Sequence, residues 1–403
     1  MRSSFRRTRC GRRSTSSSDA ISARLRTRHD PAGSFTCRQV ATDRAIPGDE
    51  TMRALVTGAG GFVGRQVVRR LTAMGHTPRA LLRRGLVASG SSRDGVERVR
   101  GDVTCADALR EAAEGCELAF HCAWGGTTLA EARQVNVEGT RHVIEAAAAA
   151  GIRRVVHLST MAVHGSTLPP VLTEDVPLCV RGDAYGVSKA EGELVAFERG
   201  RELGVEVVAL RPTLVYGPAA PLWVLGYFER VKTEQVALID GGRGLANLVY
   251  VDDVVDAMWS AATAPVAGEA FLISGASPIS WREYLGYFAD MCEKPLPPSV
   301  PEWRARLEMQ WMRVYGTLAQ RPRRLQGMDV ALMTQRTAVS IDKARRLLGY
   351  DPHVDVAGGM RRCESWLRRE GHLPTRLSSR SAALSPRSGS MDVRDSDATA
   401  TGA

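Results

Sequence analysis

The stretch Met52–Gly64, which reads Met-Arg-Ala-Leu-Val-Thr-Gly-Ala-Gly-Gly-Phe-Val-Gly, decides the fold. Its apolar run Ala54–Val56 predicts a strand, and the apolar spacing of Gln66–Met74 predicts a helix directly after it. Glycines on the turn between them leave the backbone N–H groups at the helix N-terminus open to a pyrophosphate. Between a strand and a helix, this spacing predicts a dinucleotide site, although glycines alone also occur in ordinary turns. The turn glycines are Gly58, Gly61 and Gly64.

Further strands are predicted along the chain, with helical patterns between them. They are Thr77–Leu82, Val96–Val99, Leu118–Ala123 and Arg154–Ser159. Strands that alternate with helices imply an α/β fold with a parallel, doubly wound sheet. Such sheets bind ligands at the carboxyl ends of their strands, which is where Thr160 falls.

Both ends of the 403-residue chain differ from the middle. Residues 1–51 contain eleven arginines, no lysine and five acidic residues, and 374–403 are rich in Ser, Ala, Arg and Asp, so both are predicted to be disordered. Because much of the formal charge of +10 lies in the ends, we do not interpret it as a nucleic-acid footprint. Residues 1–51 could be a transit peptide or a basic arm, but a true start at Met52 is favoured.

The remaining composition predicts a cytoplasmic protein. No run of about 18 apolar residues and no hydrophobic signal core occurs, so stable membrane insertion is not expected. The eight cysteines are scattered without a C-x-x-C pair, so neither a disulfide framework nor a metal site is predicted.

Tyr185 and Lys189 are four residues apart on one face of a predicted helix. A free phenol has a pKa of about 10, and a neighbouring ammonium with a positive nicotinamide ring would lower it. Tyr185 could then exchange a proton with a substrate hydroxyl or carbonyl, while the Thr160 hydroxyl holds the same oxygen. The spacing alone is common on helices, but its position after the glycine turn and the Thr160 strand makes it significant.

Residues at the other strand ends suggest cofactor contacts. Arg83 follows the second strand, where arginine suits a ribose 2′-phosphate and therefore favours NADP over NAD; the alternative is a solvated basic turn. Asp102 could accept from the adenine amino group or cap a helix. His121 is interpreted as a packed strand-end histidine and not as a base.

Taken together, the motifs resemble the extended short-chain dehydrogenase/reductases of the NAD-dependent epimerase/dehydratase family, over about Met52–Arg369. The resemblance implies a Rossmann-like sheet with a smaller C-terminal substrate-binding part. The matching motifs, in the family's order, are Thr57–Gly64, Gly101-Asp102, His121-Cys-Ala123, Asn136-Val-Glu-Gly-Thr140, Ser159-Thr160, Tyr185-x-x-x-Lys189, Arg211–Pro218, Val251-Asp-Asp-Val254 and Ser340–Pro352.

The resemblance also implies residue roles. Tyr185 is the expected acid/base, Lys189 lowers its pKa and binds the nicotinamide ribose, and Thr160 is the hydroxyl partner. Asn136 joins them as a candidate catalytic residue. The candidate contacts of NADP or NAD are Gly58, Gly60, Gly61, Phe62, Val63, Gly64, Arg83, Asp102, Val103, Ala123, Tyr185 and Lys189. A homodimer is expected from the resemblance alone.

Within a domain of residues 52–373, the substrate part is expected from 168–183, 216–247 and 275–336. Relatives that act on nucleotide sugars usually carry an arginine five residues before Val-Asp-Asp; Ala246 stands there, with Arg243 three residues away.

Other residues of the substrate part leave alternatives open. The apolar run 222–228 suits a greasy substrate or is simply helix core. Trp303–Arg321 is amphipathic, with Leu307, Trp311, Val314 and Leu318 on one face. It could cover the pocket, line a dimer interface or touch a membrane. His164, where the family usually has tyrosine, is expected to be structural or to contact substrate.

The leading prediction is an NAD(P)-dependent oxidoreductase that interconverts a secondary alcohol and a ketone on a small, hydrophobic, steroid- or terpenoid-like substrate. The alternative is a nucleotide-sugar epimerase or dehydratase. Dehydratases often carry Asp-Glu after the catalytic threonine or serine, but Met161-Ala162 stand here. A non-catalytic relative is disfavoured because Tyr185 and Lys189 are both present.

Overall fold

The computed structural model describes residues 51–83, 94–315 and 327–374, without the side chains of 309, 311–315 and 327–329. The two predicted disordered ends therefore fall almost entirely outside the described residues. So do the side chains of Trp311, Val314 and Leu318 in the predicted amphipathic face.

A seven-stranded parallel sheet forms the centre of the fold, in the order β3-β2-β1-β4-β5-β7-β12. Its strands are β1 (Arg53–Thr57), β2 (Thr77–Leu82), β3 (Glu97–Arg100), β4 (Leu118–His121), β5 (Arg154–Leu158), β7 (Glu206–Pro212) and β12 (Ala270–Ile273). The chain runs outward from β1 to β3 and then crosses back to β4. This crossover places the carboxyl ends of β1 and β4 side by side, with Thr57 paired to His121.

Helices cover both faces of the sheet, which explains why its inner strands are apolar on both sides. One face carries α2 (Ala106–Ala113), α3 (Leu129–Arg133), α4 (Gly139–Ala150) and α5 (Ala184–Leu203). On the other face are α1 (Phe62–Ala73), α7 (Val251–Thr263) and α11 (Asp342–Leu348). The predicted doubly wound α/β fold is confirmed, and the predicted second strand has the bounds of β2.

Most of the remaining elements surround a second apolar cluster. They are β6 (Val171–Leu172), β8 (Leu214–Tyr216), α6 (Tyr227–Lys232), β9 (Leu238–Ile239), β10 (Leu245–Ala246), β11 (Leu248–Tyr250), β13 (Ile279–Ser280), α8 (Trp281–Met291), β14 (Ser299–Val300), α9 (Glu302–Tyr315), α10 (Gly327–Met333), β15 (Ala338–Val339) and α12 (Val356–Arg369). Trp281, Tyr227 and Phe228 are fully buried in the cluster. The run 222–228 is therefore largely core, and only Leu222 is markedly exposed.

The length of the helices and the exposed apolar residues of α9 are relevant to membrane contact. No helix among the described residues is long and apolar enough to cross a bilayer. In α9, Trp303 and Leu307 expose 68% and 47% of their surface, so the start of this helix leaves apolar side chains uncovered.

Candidate active site

Two glycines of the turn between β1 and α1 have no room for a side chain. Gly58 has a φ of +66°, and a Cβ there would lie 2.6 Å from the Ala123 nitrogen. A Cβ on Gly64 would lie 2.2 Å from the Gly58 oxygen. The backbone of α1 thus approaches the turn closely, and Gly60 and Gly61 stay exposed at its tip. A dinucleotide pyrophosphate fits such a cradle, with Phe62 and Val63 supplying N–H groups of the first helical turn.

The other predicted cofactor residues lie at the strand ends. Arg83 is exposed directly after β2. Asp102 accepts hydrogen bonds from the Thr104 N–H and hydroxyl, both at 2.9 Å, so its carboxylate closes a local turn. Val103 is buried, and Ala123 donates its N–H to the Thr57 hydroxyl at 3.4 Å.

Thr160 and Tyr185 meet where β5 ends and α5 begins. Asp183 caps α5 by accepting from the Gly186 N–H at 2.9 Å. A Cβ on Gly186 would lie 2.9 Å from the Ala162 oxygen, so this glycine lets the first turn of α5 pack against the segment after Thr160. No pattern in the sequence marks Gly186 as a contact residue.

The surroundings of Tyr185 shift the pKa of its phenol. Burial raises the pKa of Tyr185, although 39% of the residue's surface is exposed. The Thr160 hydroxyl, which hydrogen-bonds the phenol, lowers the pKa, and the Asp183 carboxylate raises it. In the chain alone the net direction is upward, contrary to the expected lowering by Lys189; an effect of bound nicotinamide stays a prediction.

Lys189 is buried beneath the site, one helical turn from Tyr185. Its ammonium donates to the Leu158 carbonyl oxygen at 2.7 Å, which ties α5 to the end of β5. Burial lowers the pKa of Lys189 to about 8, while the carboxylate of Glu193 and the thiol of Cys122 raise it. The group therefore carries a positive charge at neutral pH with little solvent around it.

Asn136 is buried and connects the β4 loop with α5 from a short π-helix, Gln134–Glu138. Its Oδ1 accepts from the Gly125 N–H at 3.1 Å, and its Nδ2 donates to the Ser188 hydroxyl at 3.0 Å. Ser188 donates in turn to the Tyr185 carbonyl at 3.1 Å. A Cβ on Gly192 would lie 2.1 Å from the backbone carbonyl oxygen of Asn136. Only glycine therefore lets α5 pack so closely against the π-helix. Asn136 thus holds the loop after β4 and the first turn of α5 in position.

A buried ion pair near the same residues links α5 to β7. Glu193 on α5 and Arg211 on β7 are paired with exposed side-chain fractions of 1% and 8%. The Ser159 hydroxyl also donates to Glu193, at 2.5 Å. His164 is buried with its Nε2 3.3 Å from Arg211. Burial, and then the charge of Arg211, lower the pKa of His164; a contact of His164 with substrate stays a prediction.

His121 is likewise a packed residue. Its Nδ1 lies 2.7 Å from the Thr57 hydroxyl and its Nε2 2.9 Å from the Thr140 hydroxyl. Burial, and then the charge of Lys189, lower the pKa of His121 to about 3. A histidine that stays neutral between two hydroxyls agrees with its interpretation as structural.

The surface next to Met161 is mostly apolar. A cavity of about 10 Å³, with room for about one water molecule, lies there. Its lining residues are Met161, Leu214, Leu245, Asn247, Trp281, Leu332 and Gln335. Ala246 is buried and Arg243 is exposed. A cavity of about 810 Å³ between α1 and α12 contains several arginines but none of the candidate catalytic residues.

Neither a metal site nor a disulfide is found in the part of the chain that the structure describes. No group of three or more His, Cys, Asp or Glu there could hold a metal ion. The six cysteines in these ranges are free.

Comparison with known proteins identifies the family. The model of the NAD dependent epimerase/dehydratase family matches residues 54–274. A 4-hydroxy-2-methyl-3-oxo-4-farnesyl-3,4-dihydroquinoline-1-oxide ketoreductase of Stigmatella aurantiaca is 30% identical, over 77% of this chain and 95% of its own length. A 3-beta-hydroxysteroid dehydrogenase of Mycolicibacterium neoaurum is 29% identical, over 78% and 93%.

Solved structures agree with this result. MoeE5 in complex with UDP-glucose and NAD is 25% identical, covers 79% of this chain and 99% of its own, and superimposes with a TM-score of 0.63. The predicted type of enzyme, with NAD(P)-dependent oxidoreduction as its chemistry, is confirmed. The chain belongs to the NAD-dependent epimerase/dehydratase family of extended short-chain dehydrogenases/reductases.

Proposed function

We propose that the chain interconverts a secondary alcohol and a ketone on a small hydrophobic substrate. The observation that carries this proposal is the meeting of the Thr160 hydroxyl and the Tyr185 phenol above the buried Lys189 ammonium. These three groups follow β5 and open α5, at the carboxyl edge of the sheet that also carries the glycine turn. Parallel sheets bind their ligands at this edge.

Each group has a task in the proposed reaction. Tyr185 donates a proton to the substrate oxygen in ketone reduction and accepts it in the reverse direction. Thr160 holds the same oxygen with its hydroxyl. The resemblance to the family gives Lys189 the task of stabilising the phenolate form of Tyr185, although in the chain alone the pKa of Tyr185 is raised. Asn136 positions the helix that carries Tyr185 and Lys189. A bound nicotinamide dinucleotide supplies or accepts the hydride.

The substrate is proposed to be apolar because of the lining and the relatives. Five of the seven side chains that line the small cavity next to Met161 are apolar, and the other two, Asn247 and Gln335, carry a neutral amide. Ala246 stands where relatives acting on nucleotide sugars usually carry arginine. The two similar proteins named above act, by their names, on a farnesylated quinoline oxide and on a hydroxysteroid.

A nucleotide-sugar epimerase is the second candidate. MoeE5, which was solved with UDP-glucose and NAD, has the same fold and 25% identity. Arg243 is exposed and lies three residues before Ala246, the position at which such relatives usually carry arginine. In an epimerase, Arg243 would have to bind the nucleotide phosphates in its place.

One assay separates the two proposals. The purified full chain is mixed with NADPH and a panel of apolar ketones, and separately with UDP-glucose and NAD⁺. The dehydrogenase proposal predicts loss of NADPH absorbance in a one-to-one ratio with the alcohol formed. Epimerised sugar without any net change in absorbance would overturn it.

For the cofactor, we propose NADP in preference to NAD. Arg83 is exposed at the end of β2, where a guanidinium can pair with a 2′-phosphate. Arg83→Ala should raise the dissociation constant for NADPH by about 10- to 150-fold, because a charge-assisted contact is worth roughly 1.5–3 kcal/mol. Titration by fluorescence would measure it. An equal effect on NADH would contradict the 2′-phosphate contact. Arg201→Ala, at an exposed position in the last turn of α5, is the control.

The proposal also covers the oligomeric state and the location of the protein. A homodimer is proposed from the resemblance to the family. A cytoplasmic location is proposed from the scattered cysteines, six of which are free in the described part of the chain.

A further inference from the structure

Trp124 is an exposed tryptophan at the mouth of the candidate site. It follows β4 by three residues and exposes 63% of its surface. Its indole meets the ring of Tyr185 edge to face, with centroids 5.5 Å apart and planes at 75°. Single exposed apolar side chains are common on proteins. This one differs because its neighbour is the proposed acid/base, which exposes 39% of its own surface.

The backbone around Trp124 is held firmly in place. Gly126 has a φ of +94°, and a Cβ there would lie 2.1 Å from the Ala132 nitrogen, so the loop packs directly on α3. The Gly125 N–H is bound by Asn136, which also reaches the α5 helix of Tyr185 through Ser188. One buried side chain therefore links the backbone next to Trp124 to the backbone of Tyr185.

We propose that Trp124 and Tyr185 form an aromatic subsite that binds a planar, aromatic or conjugated ring of the substrate next to its carbonyl group. This inference rests on the proposed function and adds a substrate class to it. Two rings at 75° form a corner, so a third ring can stack on one face while it meets the other edge to face. Such a ring would direct its attached carbonyl toward Thr160 and the Tyr185 hydroxyl.

The choice of an aromatic ring over an alkyl chain follows from the geometry of aromatic contacts. An indole face offers both dispersion and quadrupole attraction to a flat ring, worth about 0.5–1.5 kcal/mol beyond buried area. That range corresponds to about 2- to 12-fold in binding. A flexible alkyl chain gains only the area that it buries.

The test compares acetophenone with methyl hexyl ketone, which has the same number of carbon atoms but no ring. For Trp124→Leu we expect kcat/KM for acetophenone to fall about 3- to 10-fold, mainly through KM, and that for methyl hexyl ketone to change by less than about twofold. Trp124→Phe should keep most of the preference. An equal change for both ketones in Trp124→Leu, or no change, would overturn the subsite.

A control and a binding measurement keep the two proposals separate. Trp259→Leu removes a tryptophan that stacks on His76 at 4.9 Å, near the start of β2 at the opposite edge of the sheet, and should leave the ratio unchanged. Calorimetry with NADP⁺ and acetophenone reports binding without turnover. Binding that Trp124→Leu weakens, without reduction of any ketone, supports the subsite and overturns the reaction. Reduction of ketones with no binding preference overturns the subsite alone.

Discussion

Tyr185→Phe should lower kcat for ketone reduction by about 10²- to 10⁴-fold, the usual contribution of a positioned general acid. The substitution removes only the hydroxyl that meets Thr160, and it keeps the ring that packs against Trp124. The substrate-binding surface should therefore persist, and KM should change by no more than about threefold. Steady-state kinetics at saturating NADPH measure both quantities.

Tyr287→Phe is the matched control, because this tyrosine is half-buried on α8 and takes no part in the candidate site. It should keep wild-type kinetics. If Tyr185→Phe retained more than about a tenth of wild-type kcat, Tyr185 would not be the proton donor. Binding of NADPH, followed by fluorescence, should survive in both variants if the chain folds normally.

Glu193→Ala should lower the free energy of unfolding by about 3–5 kcal/mol, the typical cost of removing one partner of a buried ion pair. Arg211 would be left buried with its charge uncompensated, since Glu193 accepts both its Nε and Nη2 hydrogen bonds. The Ser159 hydroxyl would also lose its acceptor. Urea denaturation followed by circular dichroism at neutral pH measures the change.

Glu191→Ala, two residues away on the same helix, is a close control. Glu191 pairs with Arg133 at 2.6 Å, but their side chains are 21% and 42% exposed. A partly solvated pair is worth about 0–1 kcal/mol, so this variant should be nearly as stable as the wild type. Equal destabilisation by the two substitutions would show that burial of the Glu193 pair has no special effect. Arg211→Met added to Glu193→Ala should recover part of the loss, because the isolated charge is then gone.

Local patterns in the sequence determined the framework of this protein. Strand and helix periods, and the spacing of glycines in a turn, are properties of neighbouring residues, so β1, the Gly58–Gly64 turn and β2 could be placed without a structure. The spacing of Tyr185 and Lys189 is likewise local to one helix. From alternating strands and helices the doubly wound sheet followed, because few topologies join such elements.

Tertiary structure alone decided what surrounds these residues. Asn136 and Ser188 are 52 positions apart, and no local pattern announces that they share a hydrogen bond. In the sequence, Gly186 and Gly192 look like ordinary helical glycines. The structure shows that the backbone oxygens of Ala162 and Asn136 pack against them and leave no room for a side chain. The partners of His164 and the exposure of Trp124 beside Tyr185 also come from distant segments that meet. The sequence determined which groups can do chemistry because their types and spacings are local, whereas packing decided their neighbours because contacts between remote segments depend on the whole fold.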